Sequence, residues 1–281
     1  LANHFKTEII SADSRQFFKE MSIGTAVPTQ KELSQAPHHF IHHKSILEEY
    51  NVGSFEKDAI VTLEMLFKKY DVAIMVGGSG LYVDAVTKGL DDFPIVDKEI
   101  RISLNTIFEN EGIEPLKEKL KILDPVSYQS ITLDNPHRLM RAIEICIGSG
   151  KPYSSFLKKN TQHRNFQTIS IGLKAEERET IYDRINKRVD IMFETGLMQE
   201  AKNLYDFRDL NSLNTVGYKE LFKYYSGEWT LDFAINEIKK NTRRFAKRQL
   251  TWFRKDPEII WFDYATDSKT IAKAIEEKII D

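Results

Sequence analysis

Four short apolar runs, each ending in polar or glycine residues, place the strongest constraint on the fold of this 281-residue chain. They are TEIISAD at residues 7–13, VAIMVGGSG at 72–80, TISIGLK at 168–174 and IIWFDYA at 259–265. Such runs, separated by helical segments, predict buried strands of an α/β domain with a mostly parallel sheet. Ligands of these sheets bind beyond the carboxyl ends of the strands. We therefore expect Asp13, Ser14 and the glycine turn at residues 77–80 to share one crevice.

The chain changes character between residues 97 and 165, where helical patterns dominate and no convincing strand occurs. In its last predicted helix, Asn135 suits the N-cap and Pro136 suits the first helical position. Gly148 and Gly150 should end this helix, and Arg138 and Arg141 should be exposed one turn apart. The predicted buried stripe consists of Leu139, Ala142, Ile143, Cys146 and Ile147. We interpret this region as a helical insertion between strands.

A basic stretch, KKNTRRFAKRQLTWFRK at residues 239–255, holds eight Lys and Arg and no acid. The whole chain has 40 basic and 42 acidic residues, so the remainder carries 32 against 42. Spacing predicts one long helix, capped at Thr230 and ended by Asp256 and Pro257, whose core-facing residues are Ile235, Ile238, Thr242, Phe245, Gln249 and Phe253. Its exposed cations form two adjacent rows: Lys240, Arg244 and Arg248, then Arg243, Lys247 and Arg254. A solvated helix face is the alternative, but adjacent rows of like charge favour a nucleic-acid face.

The cysteine content and hydropathy exclude several classes of protein. A single cysteine, Cys146, excludes a disulfide framework and favours a reducing cytosol. No apolar run approaches the roughly 18 residues that a membrane-spanning helix needs. The first residues show no signal-peptide pattern, so we expect a cytoplasmic protein.

Three short patterns could carry chemistry. Asp13 follows a predicted strand, where it could act as a general base, hold a metal or merely cap a helix. The glycine turn at residues 77–80 lets backbone approach a ligand closely and adds the Ser79 hydroxyl, although such turns are common. Arg184 and Arg188 are four residues apart in a predicted helix at 177–196. They could clamp a diphosphate or pair with surface acids.

The histidine pattern HHFIHH at residues 38–43 has two pairs at helical i,i+4 spacing. Pro37 precedes it, and no cysteine or carboxylate lies close by in sequence. The spacing alone therefore gives little support to a metal site.

Seven segments of the chain occur together, in this order, in one enzyme family: ISADSRQ, MSIGTAVPT, APHH, VGGSGLY, DNPHRLMRAIE, TVGYKEL and NTRRFAKRQLTWFR. On these residues the chain resembles the bacterial tRNA dimethylallyltransferases, also called tRNA isopentenyltransferases. The resemblance extends over essentially the whole chain. The combination of segments is specific, although no single segment is.

The resemblance implies a P-loop-type α/β core at residues 1–96 and 166–281, with a helical insertion at residues 97–165 that contacts tRNA. It implies transfer of a dimethylallyl group from dimethylallyl diphosphate, with Mg²⁺. The acceptor is the exocyclic amine of the adenosine just 3′ of the anticodon. That base must leave its loop, as enzymes that act on bases generally require. Nucleotide binding of the ATP type, a cytoplasmic location and a monomeric state are also implied.

Family roles can be carried over to matching positions. The general base falls on Asp13, and the arginine that stabilises the diphosphate falls on Arg188. Further diphosphate or substrate contacts fall on Ser11, Thr25, Gly77, Gly78 and Arg184. The implied tRNA contacts, with the basic stretch gripping the anticodon stem-loop, are Asp13, Ser14, Arg15, Gln16, Ser79, Arg101, His137, Arg138, Leu139, Met140, Arg141, Asn214, Thr215, Val216, Gly217, Tyr218, Lys219, Arg243, Arg244, Lys247, Arg248, Gln249, Trp252 and Arg254. No side chain is assigned as a metal ligand, because Mg²⁺ is expected to come with the diphosphate.

The sequence departs from the family pattern at a few positions. We expect the family's phosphate loop, Gly-Pro-Thr-Ala-Ser-Gly-Lys-Thr, to precede Leu1, since its backbone N–H groups and Lys would cradle the diphosphate. Ser22 and Val27 replace the usual Asp and Lys, and Asn214 stands where some relatives have Arg. These differences concern details of substrate contact and not membership of the family.

Two other functions remain open from the residues. A P-loop nucleotide kinase or an adenylate prenyltransferase would share the core but would need neither the insertion nor the basic helix. Tight tRNA binding would separate these enzymes from a tRNA-modifying one. A non-catalytic RNA-binding protein is the second alternative, and a phosphate loop at the native N-terminus would argue against it.

Overall fold

The chain divides into two compact units. The computed structural model describes residues 1–157 and 163–280. The larger unit comprises Leu1–Thr87 and Arg164–Asp281, and the smaller unit comprises Lys88–His163. Residues 158–162 of the predicted insertion lie outside the described residues. Within the described part of the chain, no helix is long and apolar enough to cross a membrane.

Two small parallel sheets form the β part of the larger unit. The strands are β1 (Ile9–Ser11), β2 (His38–His39), β3 (Ile74–Val76), β4 (Ile171–Lys174) and β5 (Ile260–Asp263). β1 lies between β2 and β3, with Ser11 beside Val76, and β4 pairs with β5. Each of the four apolar runs contains one strand, which confirms the α/β class with parallel pairing. β2 was not predicted, because two histidines carry no strand pattern.

Helices surround the sheets and form the smaller unit. Their bounds are α1 (Ala2–Phe5), α2 (Gln30–Leu33), α3 (Val52–Leu66), α4 (Gly80–Lys88), α5 (Lys98–Glu111), α6 (Glu114–Leu123), α7 (Pro125–Ser130), α8 (Pro136–Ser149), α9 (Arg178–Glu194), α10 (Leu197–Asn203), α11 (Tyr218–Tyr225), α12 (Leu231–Phe253) and α13 (Ser268–Ile280). The predicted cap of the long basic helix is confirmed, since the Thr230 side chain accepts a hydrogen bond from the N–H of Phe233. α12 packs against α9 and α11, and α10 packs against α11.

One hydrophobic core holds β1 and the helices of the larger unit together. Its fully buried side chains include Ile10, Phe17, Phe55, Met21, Leu197 and Tyr218. From α12 this core receives Ile238, as the helical spacing predicted. Burying a side chain of this size contributes roughly 1.5–3 kcal/mol. The core therefore fixes β1, and with it the strand end that carries Asp13.

The helical boundaries of α8 in the smaller unit follow the sequence closely. Asn135 caps the helix by accepting a hydrogen bond from the N–H of Arg138, and Gly150 ends it in the left-handed conformation. Leu139, Ala142, Ile143 and Cys146 are buried as predicted. The prediction is wrong for Ile147, because its side chain is 39% exposed. The buried stripe is rotated toward Met140 and Glu144 instead.

The histidine pattern at residues 38–43 lies at a strand and in a turn, not on a helix. His39 contacts the Glu8 carboxylate at 2.7 Å, and His38 contacts the carbonyl oxygen of Ala36 at 2.7 Å. Among the described residues, no group of three or more His, Cys, Asp or Glu side chains is placed to hold a metal ion. His43 differs from the others, because both ring nitrogens are buried without a hydrogen-bond partner in the described structure.

His43 should make the stability of the protein sensitive to acid. Burial beside Phe17, Phe40 and Tyr50, reinforced by the charge of Lys44, lowers the pKa of His43 to about 4. Between pH 6.5 and 4 the unfolded chain binds a proton at this position and the folded chain does not, so stability falls as the pH falls. We expect a loss on the order of 1–3 kcal/mol across that window.

Thermal denaturation of a His43→Leu variant from pH 4 to pH 7 tests this expectation. The pH dependence of Tm should flatten in this variant, and it should persist in a control variant, His4→Gln, at an exposed histidine. Equal slopes in the His43→Leu variant and the wild type would assign the acid sensitivity to other groups.

Candidate active site

The carboxyl ends of β1 and β3 bring the predicted crevice residues together. The N–H of Ser14 donates to the Ser79 hydroxyl at 3.1 Å, and the two serine hydroxyls are also 3.1 Å apart. A Cβ at Gly77 would lie 2.5 Å from the carbonyl carbon of Ala12. Glycine at residue 77 therefore lets the two strand ends approach, and the expected proximity of Asp13, Ser14 and the glycine turn is confirmed.

Asp13 is half-buried at this crevice and closes a turn. Its Oδ1 accepts a hydrogen bond from the N–H of Arg15 at 3.0 Å. No helix begins after it, so the helix-cap alternative is wrong. Burial raises the pKa of the Asp13 carboxyl, while backbone N–H groups and the Arg188 charge oppose that rise. The site thus holds a carboxylate that is more basic than an exposed aspartate.

Arg184 and Arg188 project from α9, one turn apart and both exposed. Arg188 acts electrostatically on Asp13, and the Arg184 guanidinium lies 4.6 Å from the ring centre of Tyr264. Neither arginine forms an ion pair with an acid in the described part of the chain. The surface-pair alternative is therefore not supported, and Arg188 remains available to an anion beside Asp13.

A polar network connects Ser11 to the loop that carries Thr25. The Ser11 hydroxyl donates to Gln16 Oε1 at 3.2 Å, and Gln16 Nε2 donates to the carbonyl oxygens of Thr25 and Ala26 at 3.2 and 3.1 Å. The Thr25 hydroxyl donates to the carbonyl of Met21 at 2.7 Å. Ser11, Gln16 and Thr25 therefore use their polar groups within the protein, which favours a positioning role over direct contact with a substrate.

Glu200 of α10 is a site residue that the sequence did not indicate. Its carboxylate accepts hydrogen bonds from the N–H groups of Ser22, Ile23 and Gly24 at 2.8–3.0 Å, and from the Tyr218 hydroxyl at 2.6 Å. One side chain thus holds the loop before Thr25 against α11. A glutamate in a short helix gives no sequence signal for this role, because its partners are backbone groups far away in the chain.

Several predicted RNA contacts are engaged inside the larger unit. The Arg15 guanidinium donates to the carbonyl oxygens of Asn211 and Ser212 at 2.9 and 2.7 Å. Gln249 Nε2 donates to the Gly78 carbonyl at 2.9 Å, and Trp252 Nε1 donates to Asp84 Oδ2 at 2.9 Å. These bonds attach residues 211–214 and the end of α12 to the crevice. We interpret Arg15, Gln249 and Trp252 as positioning residues.

The predicted cation rows of α12 are only partly free. Lys240 pairs with Glu237 at 2.6 Å, and Arg243 donates to Asn186 at 2.8 Å. The cations of α12 and its C-cap that are exposed and form no ion pair in the described part of the chain are Arg244, Lys247, Arg248 and Arg254. The prediction that Phe245 faces the core is wrong, because its side chain is 42% exposed on this same helix.

Burial also corrects three other predicted contacts. Leu139 and Met140 are 0% and 3% exposed, and Tyr218 is 0% exposed. Burial and the Glu200 carboxylate together raise the pKa of the Tyr218 hydroxyl. Buried side chains cannot contact RNA, so these three belong to the core. Gly217 is buried with its neighbour, whereas Asn214 and Lys219 are exposed and Thr215 and Val216 are half-buried.

In the smaller unit, a cavity of about 560 Å³ lies beside the start of α8. Its lining includes Asn135, His137, Arg138, Arg141 and Tyr153. Arg141 pairs with Glu144 at 3.1 Å, and Arg101 pairs with the same carboxylate at 2.6 Å. Arg138 is exposed and forms no ion pair among the described residues. The lining of the cavity therefore combines the cations Arg138 and Arg141 with the aromatic ring of Tyr153.

The sequence matches the family described as IPP transferase over residues 16–256. The chain belongs to the IPP transferase family. A tRNA dimethylallyltransferase of Christiangramia forsetii is 63% identical, covering 99% of this chain and 92% of the relative. One of Flavobacterium johnsoniae is 58% identical at the same coverage.

Solved structures of the IPP transferase family share the fold. The tRNA isopentenylpyrophosphate transferase of Bacillus halodurans is 38% identical with a TM-score of 0.69, covering 99% of this chain and 89% of that one. A eukaryotic dimethylallyltransferase, described as acting on tRNA, has 25% identity and a TM-score of 0.78. That likeness covers 99% of this chain and 74% of the eukaryotic one.

Proposed function

We propose that the protein transfers a dimethylallyl group from dimethylallyl diphosphate to the exocyclic amine of the adenosine just 3′ of the anticodon in tRNA. The observation that carries the proposal is the half-buried Asp13 carboxylate, placed in the strand-end crevice with the Arg188 charge acting on it. Membership of the IPP transferase family supports the reaction and the class of substrate. A nucleotide kinase would share the core but not this pattern of relatives.

The chemistry needs one proton acceptor and one stabilised leaving group. The amine nitrogen forms a bond to the first carbon of the dimethylallyl group, and the carbon–oxygen bond to the diphosphate breaks with its electrons. Asp13 accepts the proton that the amine loses. Its raised pKa makes the carboxylate a stronger base than an exposed aspartate.

The diphosphate gains negative charge as it leaves, so a fixed cation beside it stabilises the transition state. Arg188 supplies that charge in our proposal, and Arg184 supports it from the same face of α9. Gly77 and Gly78 would lie along the diphosphate, because a glycine turn leaves its backbone accessible, and Ser79 would face the RNA. Mg²⁺ usually binds through substrate phosphates and keeps several waters, so it would be held by the diphosphate, while Asp13 is kept for the proton.

RNA would bind through exposed cations of each unit. In the larger unit these are Arg244, Lys247, Arg248 and Arg254, together with Lys219 of α11, and Asn214 is exposed a few residues before that helix. In the smaller unit they are Arg138 and Arg141 at the cavity beside α8, which His137 also lines. Phosphate contacts by such side chains dominate affinity for nucleic acids. We further propose that the protein acts as a monomer in the cytoplasm, where its RNA substrate is found.

A transfer assay with the full-length protein tests the proposed function. Labelled dimethylallyl diphosphate, Mg²⁺ and an anticodon stem-loop RNA should give labelled RNA. An RNA with purine riboside at the target position lacks the amine and should give none. Labelling of free AMP at a similar rate would identify an adenylate prenyltransferase instead. Tight RNA binding without any transfer would identify a non-catalytic RNA-binding protein.

A further inference from the structure

Phe245 is an exposed aromatic residue near the cationic end of α12, and Phe233 at the start of the same helix is exposed as well. The Phe245 side chain is 42% exposed, although Ala234 and Ile238 of the same helix are buried. The Arg248 guanidinium lies 5.5 Å from the centre of the Phe245 ring. An exposed aromatic ring beside a guanidinium group offers a partner a surface on which a planar group can stack.

A concave surface adjoins this aromatic residue. Lys219, Lys223, Trp229, Asn241 and Arg248 line a cavity of about 330 Å³ between α11 and α12. Asn241, Phe245 and Arg248 follow one another at spacings of four and three, which places them on one face of α12. Arg248 therefore belongs both to the cavity and to the Phe245 contact. We name Lys219, Lys223, Trp229, Arg244, Phe245 and Arg248 the aromatic–cation groove.

The charge balance of the aromatic–cation groove is positive. Glu220 also lines the cavity, but its carboxylate accepts hydrogen bonds from the N–H of Gly217 at 2.8 Å and from Asn241 Nδ2 at 2.9 Å. Glu228 pairs with Lys223 at 3.7 Å at one end. Lys219, Arg244 and Arg248 form no ion pair in the described part of the chain. Because the acids among the described residues leave these three cations without an ion pair, the groove favours an anionic partner.

The aromatic rings of the groove favour unpaired RNA over paired RNA as the anionic partner. A paired stem presents its phosphates and hides its bases, so cations alone suffice for it. Unpaired nucleotides expose base faces, which stack on aromatic rings and guanidinium groups while neighbouring phosphates contact cations. Two cations of the groove lie beside aromatic rings: Lys223 Nζ is 4.7 Å from the ring centre of Trp229, and the Arg248 guanidinium is 5.5 Å from that of Phe245.

We propose that the aromatic–cation groove binds unpaired nucleotides of the substrate RNA, with one base stacked on Phe245 and adjacent phosphates on Lys219 and Arg248. The inference rests on the proposed function, in which the substrate is a tRNA with a looped anticodon. It goes further by assigning Phe245 a base contact and by separating loop recognition from phosphate attraction.

The test compares two variants across a salt series, using an anticodon stem-loop RNA and fluorescence anisotropy. Phe245→Ala should weaken binding on the order of 10- to 100-fold, with an unchanged dependence of log affinity on log salt, because no phosphate contact is lost. Arg244→Gln, the matched control, should flatten that dependence by roughly 0.7–0.9. Phe245→Tyr should bind like the wild type, and Phe245→Leu should bind like Phe245→Ala. A blunt-ended duplex without a loop should bind the wild type and Phe245→Ala equally.

Each contrary result has a distinct meaning. Wild-type affinity in Phe245→Ala, alongside weaker binding by Arg244→Gln, would overturn base stacking and leave an electrostatic surface only. Full affinity in Phe245→Leu would also overturn stacking, because an aliphatic contact would then suffice. A Tm lowered by several degrees in Phe245→Ala would show a packed residue. Absence of RNA binding by the wild type would instead contradict the proposed function itself.

Discussion

The Asp13→Asn variant of the full-length protein should transfer the dimethylallyl group roughly 10²–10⁴-fold more slowly than the wild type. The amide keeps the Oδ1 that accepts the N–H of Arg15, so the turn should stay intact. It cannot accept the proton that the target amine loses. The measurement is single-turnover transfer to an anticodon stem-loop RNA, together with the affinity for that RNA, which should change little.

The same substitution should stabilise the protein at neutral pH. Because the folded pKa of Asp13 lies above its ordinary value of 3.8, wild-type stability falls as the pH rises through the raised pKa. Asparagine has no charge to bury, so Tm should rise at pH 7, and the gain should vanish toward pH 4. Asp71→Asn, at an exposed residue before β3, is the matched control and should change neither rate nor Tm. Near-wild-type transfer by Asp13→Asn would exclude the general-base role.

The Arg188→Ala variant should lower the transfer rate at saturating substrates by roughly 10²–10³-fold, comparable to the loss of one fixed donor in an oxyanion hole. The guanidinium would act most strongly when the carbon–oxygen bond is breaking, so kcat should fall more than affinity. Arg184→Ala should have a smaller effect, because that guanidinium already lies on the Tyr264 ring.

Rescue experiments sharpen the arginine comparison. Arg188→Lys keeps the charge but loses the planar fork, so it should recover part of the rate. Lys187→Ala, at the neighbouring exposed position of α9, should leave the rate unchanged. Small and equal losses of transfer rate in Arg184→Ala and Arg188→Ala would show that both arginines are ordinary surface residues of α9 and do not stabilise the diphosphate.

Local patterns were sufficient for much of the fold. The apolar runs located β1, β3, β4 and β5, and parallel topology then brought Asp13 to the glycine turn. Caps at Asn135 and Thr230 were also readable, because a cap is a local hydrogen bond. The family motifs carried the reaction, which no spacing argument could supply.

Long-range contacts limited the rest. Phe245 has the same spacing as core residues of α12, but the neighbouring elements leave that part of the helix uncovered. Periodicity defines a face and not what packs on it. Glu200 and Arg15 act on backbone groups more than 170 positions away in the chain, and backbone groups carry no sequence signal.

The Glu200 carboxylate has a consequence for how this protein can evolve. It is shared by three backbone N–H groups and the Tyr218 hydroxyl, and a Cβ at Gly24 would overlap the Tyr218 ring. Substitutions of Gly24, Glu200 and Tyr218 therefore disrupt the same group of contacts, and their effects on the free energy of unfolding should not be additive. Changes at Gly24, Glu200 and Tyr218 should therefore be tolerated best when they occur together. A chimaera that takes one of these residues from a relative should lose more stability than one that takes all three.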